Sequence, residues 1–346
     1  MHPADVLFFY NPIRELRGRG FKVCIASREK DVTTALLQDL GLEHDVLSTA
    51  GSGLAQLGWE MLVRDRALWN LARRFEPDVM VGFGGMTIAH VGALRRISTL
   101  GFYDTDKARL QQWLTIPFIG WQYFPKMYDG PASKRRSGVF PGLKECSYLH
   151  PDNFKASRER AVAAGLDATR RNFLVRTVSW TSSHDFSRGG LPESRLRALI
   201  AELEQSGRVH LSSEGTLSKD LACYAVQGSA TDFHHLMAHC DLVIGESATV
   251  AAEAAMLKVP SIYWTTDRRS YTDDLARRGL LACVRHRSVE QVLRCAQRML
   301  SESPADRSAR HEDWLSSVGN LSMVIADAIE HHALHGSASP LPVQPR

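Results

Sequence analysis

The sequence predicts an α/β protein built as two doubly wound halves, each a parallel sheet wrapped by helices. Three observations predict it. Short apolar runs stopped by glycine or polar turns alternate with helix-forming stretches. That rhythm occurs twice, with a proline- and glycine-marked boundary over residues 142–167 between the two runs. The 346 residues are enough for two domains of ordinary size, and 44% hydrophobic with 23% charged residues is the usage of a globular chain.

In the first half, Val6, Phe9 and Ile13 keep helical spacing, and Pro12 is expected to interrupt that helix. Residues 21–26 read as a strand, 32–40 as a helix, 44–47 as a short strand and 57–75 as a long amphipathic helix. Residues 77–81 form the next strand and enter the turn Gly82-Phe83-Gly84-Gly85, after which a helix starts near Thr87. Glycine there permits a phosphate or sugar to approach the backbone, or only a tight strand–helix turn. Residues 100–103 end on Asp104, which either faces a ligand or caps the helix beginning near Asp106. The aromatic-rich residues 113–128 read mainly as core. Lys134, Arg135 and Arg136 read as a solvated loop, with a pyrophosphate or an anionic membrane as alternatives.

The second half repeats the pattern. Residues 173–178 are a strand whose polar, glycine-bearing loop carries His184, a candidate substrate contact or a solvent-facing histidine. A strand at 209–212 follows, and Asp232 caps the next helix. Asp241-Leu-Val-Ile-Gly245 is a buried parallel strand, Glu246-Ser247-Ala248-Thr249 a polar turn, and 250–257 an alanine-rich helix ended by Lys258-Val259-Pro260. Residues 261–264 give another strand. Ligands in open α/β sheets sit at such turns, and the free N–H groups of the helix start suit phosphate. Glu253, one turn further in, is placed to accept ribose hydroxyls; alternatively Ser247 is a plain N-cap and Glu253 is solvated. A helix at 272–278, a strand at 282–284 and helices to about His332 complete this half. Residues 335–346 are a disordered tail by composition.

Several classes are disfavoured. A net charge of +4 on 42 basic and 38 acidic residues does not argue for nucleic acid. The six cysteines are scattered without a CxxC pair, which suits reduced thiols in a cytosolic protein. His235 and His239 stand four apart on a helix, but a metal site needs a further ligand, so no metal is expected. No apolar run reaches transmembrane length, and the first residues lack the shape of a signal peptide. The expected location is the cytoplasm, peripheral at most at the inner face of a membrane.

Residues 241–268 resemble the nucleotide-sugar half-site of GT-B glycosyltransferases and of the non-hydrolysing UDP-GlcNAc 2-epimerases. Glu246, Ser247, Ala248, Thr249 and Glu253 fall on the positions of their acidic or arginine residue, Ser-Gly-Gly and ribose-binding glutamate. Thr265-Thr266-Asp267-Arg268 resembles the epimerases' Thr-Thr-Glu-Arg turn, and Gly84-Gly85 the Gly-rich turn of the lipid-linked peptidoglycan GlcNAc transferase. The fullest likeness is to an uncharacterised prokaryotic GT-B-like family, grouped as a domain of unknown function. It is carried by His2-Pro3-Ala4-Asp5-Val6, Asp104-Thr105, and Gly245 to Thr249 with Glu253-Ala254-Ala255.

The resemblance implies a GT-B-like fold of two Rossmann-like domains facing a cleft: residues 1–145 on the acceptor side, a linker over 146–172, and nucleotide-sugar binding in 173–334. It implies a metal-independent glycosyltransferase acting in glycan or cell-surface polysaccharide synthesis. The nucleotide sugar, UDP-linked in the likeness, would be substrate with no separate cofactor, and the acceptor a glycan or a lipid-linked group. His2, Gly84, Gly85, Gly245, Glu246, Ser247, Ala248, Thr249, Glu253 and Arg268 would bind substrate. Asp104 and His184 would be catalytic. Epimerisation at sugar C2 is the alternative, although the epimerases' Gly-Asp-Thr turn falls on Gly84-Gly85 and its acid is missing. A binding protein without catalysis is the third, because Glu246 sets a second anion beside a diphosphate.

One expectation concerns the first sheet. A doubly wound domain opens with a strand that lies mid-sheet, whereas here a helix follows His2-Pro3 at once. The first strand is therefore expected to be missing, the natural start lying upstream or the chain being shortened. The strands at 21–26 and 79–81 are expected to flank a gap or to close against each other.

Overall fold

The structure, a computed structural model, describes residues 3–29, 33–49, 54–178, 191–285 and 288–336. The chain divides into two compact units, Met1–Asn153 with Val318–Arg346, and Phe154–Ser317.

The first unit runs α1 (Pro3–Gly18), β1 (Ala26–Glu29), α2 (Thr33–Asp39), β2 (Asp45–Thr49), α3 (Leu54–Phe75), β3 (Val79–Phe83), α4 (Met86–Arg95), β4 (Ser98–Phe102), α5 (Arg109–Thr115), β5 (Trp121–Pro125) and β6 (Ser137–Phe140), with a 3-10 turn at Lys144–Ser147. Strands β3-β4-β5-β6 form a parallel sheet in that order, while among the described residues β1 and β2 pair only with each other. The sheet is thus divided between β1 and β3, as expected. Four of the five β3 residues are only half-buried, a consequence of the free edge. Helix α3 covers both pieces: Leu68, Leu71 and Ala72 pack with Met80 of β3 and reach Ala26 and Leu47. The strand expected at 21–26 begins only at Ala26, because it has β2 alone as a neighbour and β2 starts at Asp45.

Helix α1 corrects a second expectation, since it runs through Pro12 without a break. Proline has no N–H for the carbonyl four residues back. That carbonyl, on Phe8, instead accepts the Ser147 hydroxyl at 2.6 Å, and Asn11 Nδ2 donates to the Ser147 carbonyl at 3.0 Å. The Phe8 ring is fully buried among Phe83, Phe102 and Phe140. Trp121, Tyr123, Phe124 and Tyr128 are buried as expected, whereas Trp113 and Phe118 are exposed. The final helix, Leu321–His335 (α13), packs on α1 and on β3 and β4. Arg19 pairs with Asp327 at 2.7 Å, and Tyr123 Oη lies 3.4 Å from His332 Nε2. The division at residue 334 is corrected accordingly: α13 buries its apolar face in the first unit.

The second unit comprises α6 (Arg158–Ala163), β7 (Arg171–Thr177), α7 (Glu193–Glu204), β8 (Gly207–Ser213), α8 (Phe233–Met237), β9 (Leu242–Gly245), α9 (Ala248–Met256), β10 (Ser261–Trp264), α10 (Ser270–Arg277), β11 (Ala282–Val284), α11 (Val289–Leu300) and α12 (Pro304–Val318). Its sheet is entirely parallel, in the order β11-β10-β9-β7-β8. Two buried layers sandwich it, Phe173, Val175 and Ile244 against α7 and α11, and Leu174 and Val243 against α6, α8 and α9. Asn172 ties the start of β7 to its neighbours. Its Oδ1 accepts the Asp167 N–H at 2.8 Å and faces His210 Nε2 at 2.9 Å, while its N–H donates to Asp241 at 2.8 Å.

Two outcomes follow from this packing. Phe8→Ala is expected to lose about 3–5 kcal/mol in urea unfolding, the usual range for emptying a buried phenylalanine site. Trp113→Ser, on the surface, should change stability by no more than about 0.5 kcal/mol. Burial, helped by the charge of Arg208, holds the His210 imidazole down at about 4. The fold therefore favours neutral His210. Its contribution is complete above a pH of about 6.5 and is lost as pH falls from there toward 4. Unfolding midpoints measured across that window should decline, and His210→Gln should flatten the decline.

Candidate functional site

The β9–α9 turn is shaped by close backbone packing. A Cβ on Gly245 would stand 2.4 Å from the Arg176 carbonyl, so only glycine fits beside β7. The Glu246 N–H donates to that carbonyl at 3.0 Å, and the buried Glu246 carboxylate accepts the Val178 N–H at 3.4 Å. Ser247 caps α9, its hydroxyl accepting the Val250 N–H at 3.3 Å. Ser247, Ala248 and Thr249 are half-buried and line the turn. One turn further, Glu253 is 4% exposed and its Oε1 lies 3.1 Å from His234 Nε2 on α8. The rings of Phe154 and Phe233 flank His234 at 6.3 and 5.6 Å. Glu253 is therefore a buried carboxylate backed by an imidazole, not the solvated residue of the alternative reading.

At the end of β10, Arg268 and its neighbour turn opposite ways. Arg268 points outward with its side chain 73% exposed and pairs with Asp273 at 2.9 Å. Arg269 turns inward, its Nε 2.6 Å from the carboxylate of Asp267, which is fully buried. At the end of β7, Arg176 donates to Ser212 at 2.7 Å and to Glu214 at 2.8 Å.

The first unit gathers a second group at the carboxyl ends of β3, β4 and β6. Gly84 and Gly85 have φ of +83° and +76°, a region that favours glycine. The Gly84 N–H donates to the Phe102 carbonyl at 2.8 Å, and a Cβ on Gly84 would meet the Gln111 amide at 2.7 Å. Both glycines are accounted for by the backbone. Asp104, two residues past β4, is 6% exposed and pairs with Lys144 Nζ at 3.0 Å. Lys144 also stands over the Phe83 ring at 5.4 Å, and Thr105 donates to Asp104 at 3.2 Å. Asp104 is thus not the simple helix cap of the bland reading.

Gly245, Glu246, Ser247, Ala248, Thr249 and Glu253 come together in one βα turn, while Arg268 faces away from its inner side. Asp104, Gly84 and Gly85 share one sheet end. His2 and His184 lie outside the described residues. Sequence reasoning missed Lys144, His234 as the partner of Glu253, and Arg269. Lys144 stands 40 residues from Asp104 with no spacing to signal it, and Arg269 adjoins the residue the motif singled out. His235 and His239 are engaged locally: His235 Nδ1 accepts the Ser157 N–H at 2.9 Å, and His239 Nδ1 lies 2.8 Å from the His235 carbonyl. Among the described residues, no group of three His, Cys, Asp or Glu could hold a metal ion.

No protein-family model matches the chain, and no curated protein matches it. Solved structures do. The UDP-GlcNAc 2-epimerase of Methanocaldococcus jannaschii, in complex with UDP-GlcNAc and UDP, superposes with a TM-score of 0.66 at 14% identity, covering 94% of this chain and 97% of that one. Spinosyn forosaminyltransferase gives 0.65 at 14% identity, covering 96% and 97%. The UDP-GlcNAc 2-epimerase of Neisseria meningitidis bound to UDP-GlcNAc gives 0.62 at 13% identity, over 96% and 97%. The chain therefore has the GT-B-like fold that these epimerases and glycosyltransferases share.

The buried pair in the first unit makes a stability prediction. Lys144→Met alone leaves a buried carboxylate without its cation and should destabilise by about 3–5 kcal/mol. Adding Asp104→Leu should recover more than half of that loss, as measured by urea unfolding of the two single variants and the double.

Proposed function

We propose that the protein is a nucleotide-sugar-dependent, metal-independent glycosyltransferase of GT-B type, acting in glycan or cell-surface polysaccharide synthesis. One observation carries this reading: Gly245–Thr249 forms a strand-to-helix turn with Glu253 buried one helical turn beneath it. The first amides of α9 suit the diphosphate, with Ser247 and Thr249 as hydroxyl contacts and Glu253 as acceptor for the ribose. Arg268, which pairs with Asp273 at the surface, would turn toward the diphosphate, and His184 would join it. The superposed structures bound to UDP-GlcNAc support a nucleotide sugar, UDP-linked in this reading, as substrate.

In the transfer step the acceptor hydroxyl attacks the anomeric carbon, forming a new C–O bond. The bond to the diphosphate breaks and its electron pair leaves with the nucleoside diphosphate. Asp104, the catalytic carboxylate that the resemblance implies, would take the hydroxyl proton, and Lys144 holds that carboxylate in place. The α9 amides stabilise the departing charge without a metal. The acceptor would be a glycan or a lipid-linked group.

Epimerisation is the second reading, favoured by the two superposed epimerases and disfavoured because the resemblance places the family's acid-bearing turn on Gly84-Gly85. A non-catalytic binder is the third, and the anionic Glu246 favours it.

Titration calorimetry with UDP-GlcNAc and other nucleotide sugars, followed by product analysis, tests the three. Glu253→Ala should weaken binding by roughly 1.5–3 kcal/mol in a folded variant. Asp104→Asn should leave binding within a few-fold and lower turnover by about 10²–10⁴. Unchanged affinity in Glu253→Ala overturns the ribose assignment, and a C2-inverted sugar as product establishes epimerisation. Binding without turnover points to the third reading.

A further inference from the structure

Helix α5 carries an apolar stripe on the wrong side for a core. Leu110, Trp113 and Leu114 of the helix, continued by Pro117 and Phe118 in the turn that follows it, are all exposed, Leu110 by 72% and Trp113 by 74%. The residues turned inward from the same segment are Gln112, Thr115 and Ile119. The patch extends sideways. His90 of α4 binds Asp65 of α3 at 2.9 Å, lies 3.2 Å from the Leu114 carbonyl and stacks edge-on against Phe118. One turn from Asp65 and from His90 stand Leu62 and Leu94, exposed by 59% and 74%. A contiguous apolar surface of this kind marks an interaction site.

Its charge surroundings select the occupant. Between residues 107 and 136 the chain has six basic residues and one acid, Asp129. Lys107, Arg109, Lys126, Lys134 and Arg135 are exposed. Arg136 donates to the carbonyls of Ile116 and Ile119, at 2.9 and 2.7 Å, which ties the segment carrying Lys134 and Arg135 to the turn that carries Phe118. Arg109 opens the helix at the other end of the stripe. Two copies of this face would set like charges against each other. An anionic bilayer instead accepts the apolar side chains between its headgroups and pairs the basic rim with its phosphates. No helix among the described residues is long and apolar enough to cross a membrane.

We propose that the α5 face, centred on Trp113 and Phe118, docks the protein on an anionic lipid surface. The docking is peripheral, with side chains inserted and the backbone outside the hydrocarbon, and it does not depend on the nucleotide-sugar reading.

Co-sedimentation of the full chain with vesicles tests it. Binding is expected to vesicles of phosphatidylglycerol and phosphatidylcholine in equal parts, at least ten-fold tighter than to phosphatidylcholine alone, and weaker in high salt. Trp113→Ser with Phe118→Ser, and separately Lys134→Glu with Arg135→Glu, should each lower it at least ten-fold. Circular dichroism should show both variants folded, since all four side chains are on the surface. Equal binding to both vesicle types, or none, overturns the proposal. So does a dimer in light scattering that Trp113→Ser with Phe118→Ser dissociates, because the stripe would then join two copies.

Discussion

A proline inside α1 leaves the Phe8 carbonyl without its helical donor, and much of the first unit depends on how that vacancy is filled. Ser147 supplies the hydroxyl, and Asn11 binds the Ser147 carbonyl in return. Those contacts pin the Lys144–Ser147 turn against α1 while Phe8 sits among three phenylalanines of the sheet. The turn in its pinned position presents Lys144 to Asp104. A buried carboxylate is tolerable only with such a partner, because desolvating an unpaired charge exceeds what local packing returns. The position of the candidate catalytic base Asp104 therefore rests on a proline 92 residues earlier in the chain.

The second unit solves a related problem differently. Parallel strands leave their carboxyl ends open, and the polar groups there must find partners or ligands. Around β9 the partners are mostly backbone: Arg176 and Val178 hold Glu246, and Ser247 closes its own helix. Glu253 differs, being buried under the turn with its Oε1 3.1 Å from the His234 imidazole. A carboxylate placed there is suited to receiving hydroxyl donors from a sugar, which is why the turn and Glu253 together carry the functional reading.

Much of this was legible in the sequence. The strands expected at 241–245 and 261–264 and the alanine-rich helix between them are all present, the helix starting at Ala248 within the expected turn, because each is bounded by residues with fixed local preferences. The division between β1 and β3 was legible too, from a helix where a doubly wound sheet needs a strand. Strands β5 and β6 were not. All five β5 residues are buried, so the run shows no alternation, and its aromatic content reads equally as generic core. The exposure of Trp113 and Phe118 was hidden for the same reason, since composition cannot say which face of a helix a neighbour covers.

The sequence by itself determined the class of the fold, the place of the βα turn and the residue types that line it. Those follow from local rules: glycine where two backbones approach, serine at a helix start, apolar runs in parallel strands. Only the tertiary structure decided the partners. That Asp104 meets Lys144, that Glu253 meets His234, that Arg269 rather than Arg268 turns inward and that α13 returns to the first unit are all long-range or orientational facts. Local spacing does not encode them, because the free energy that selects them comes from burying apolar faces and pairing buried charges across elements distant in the chain.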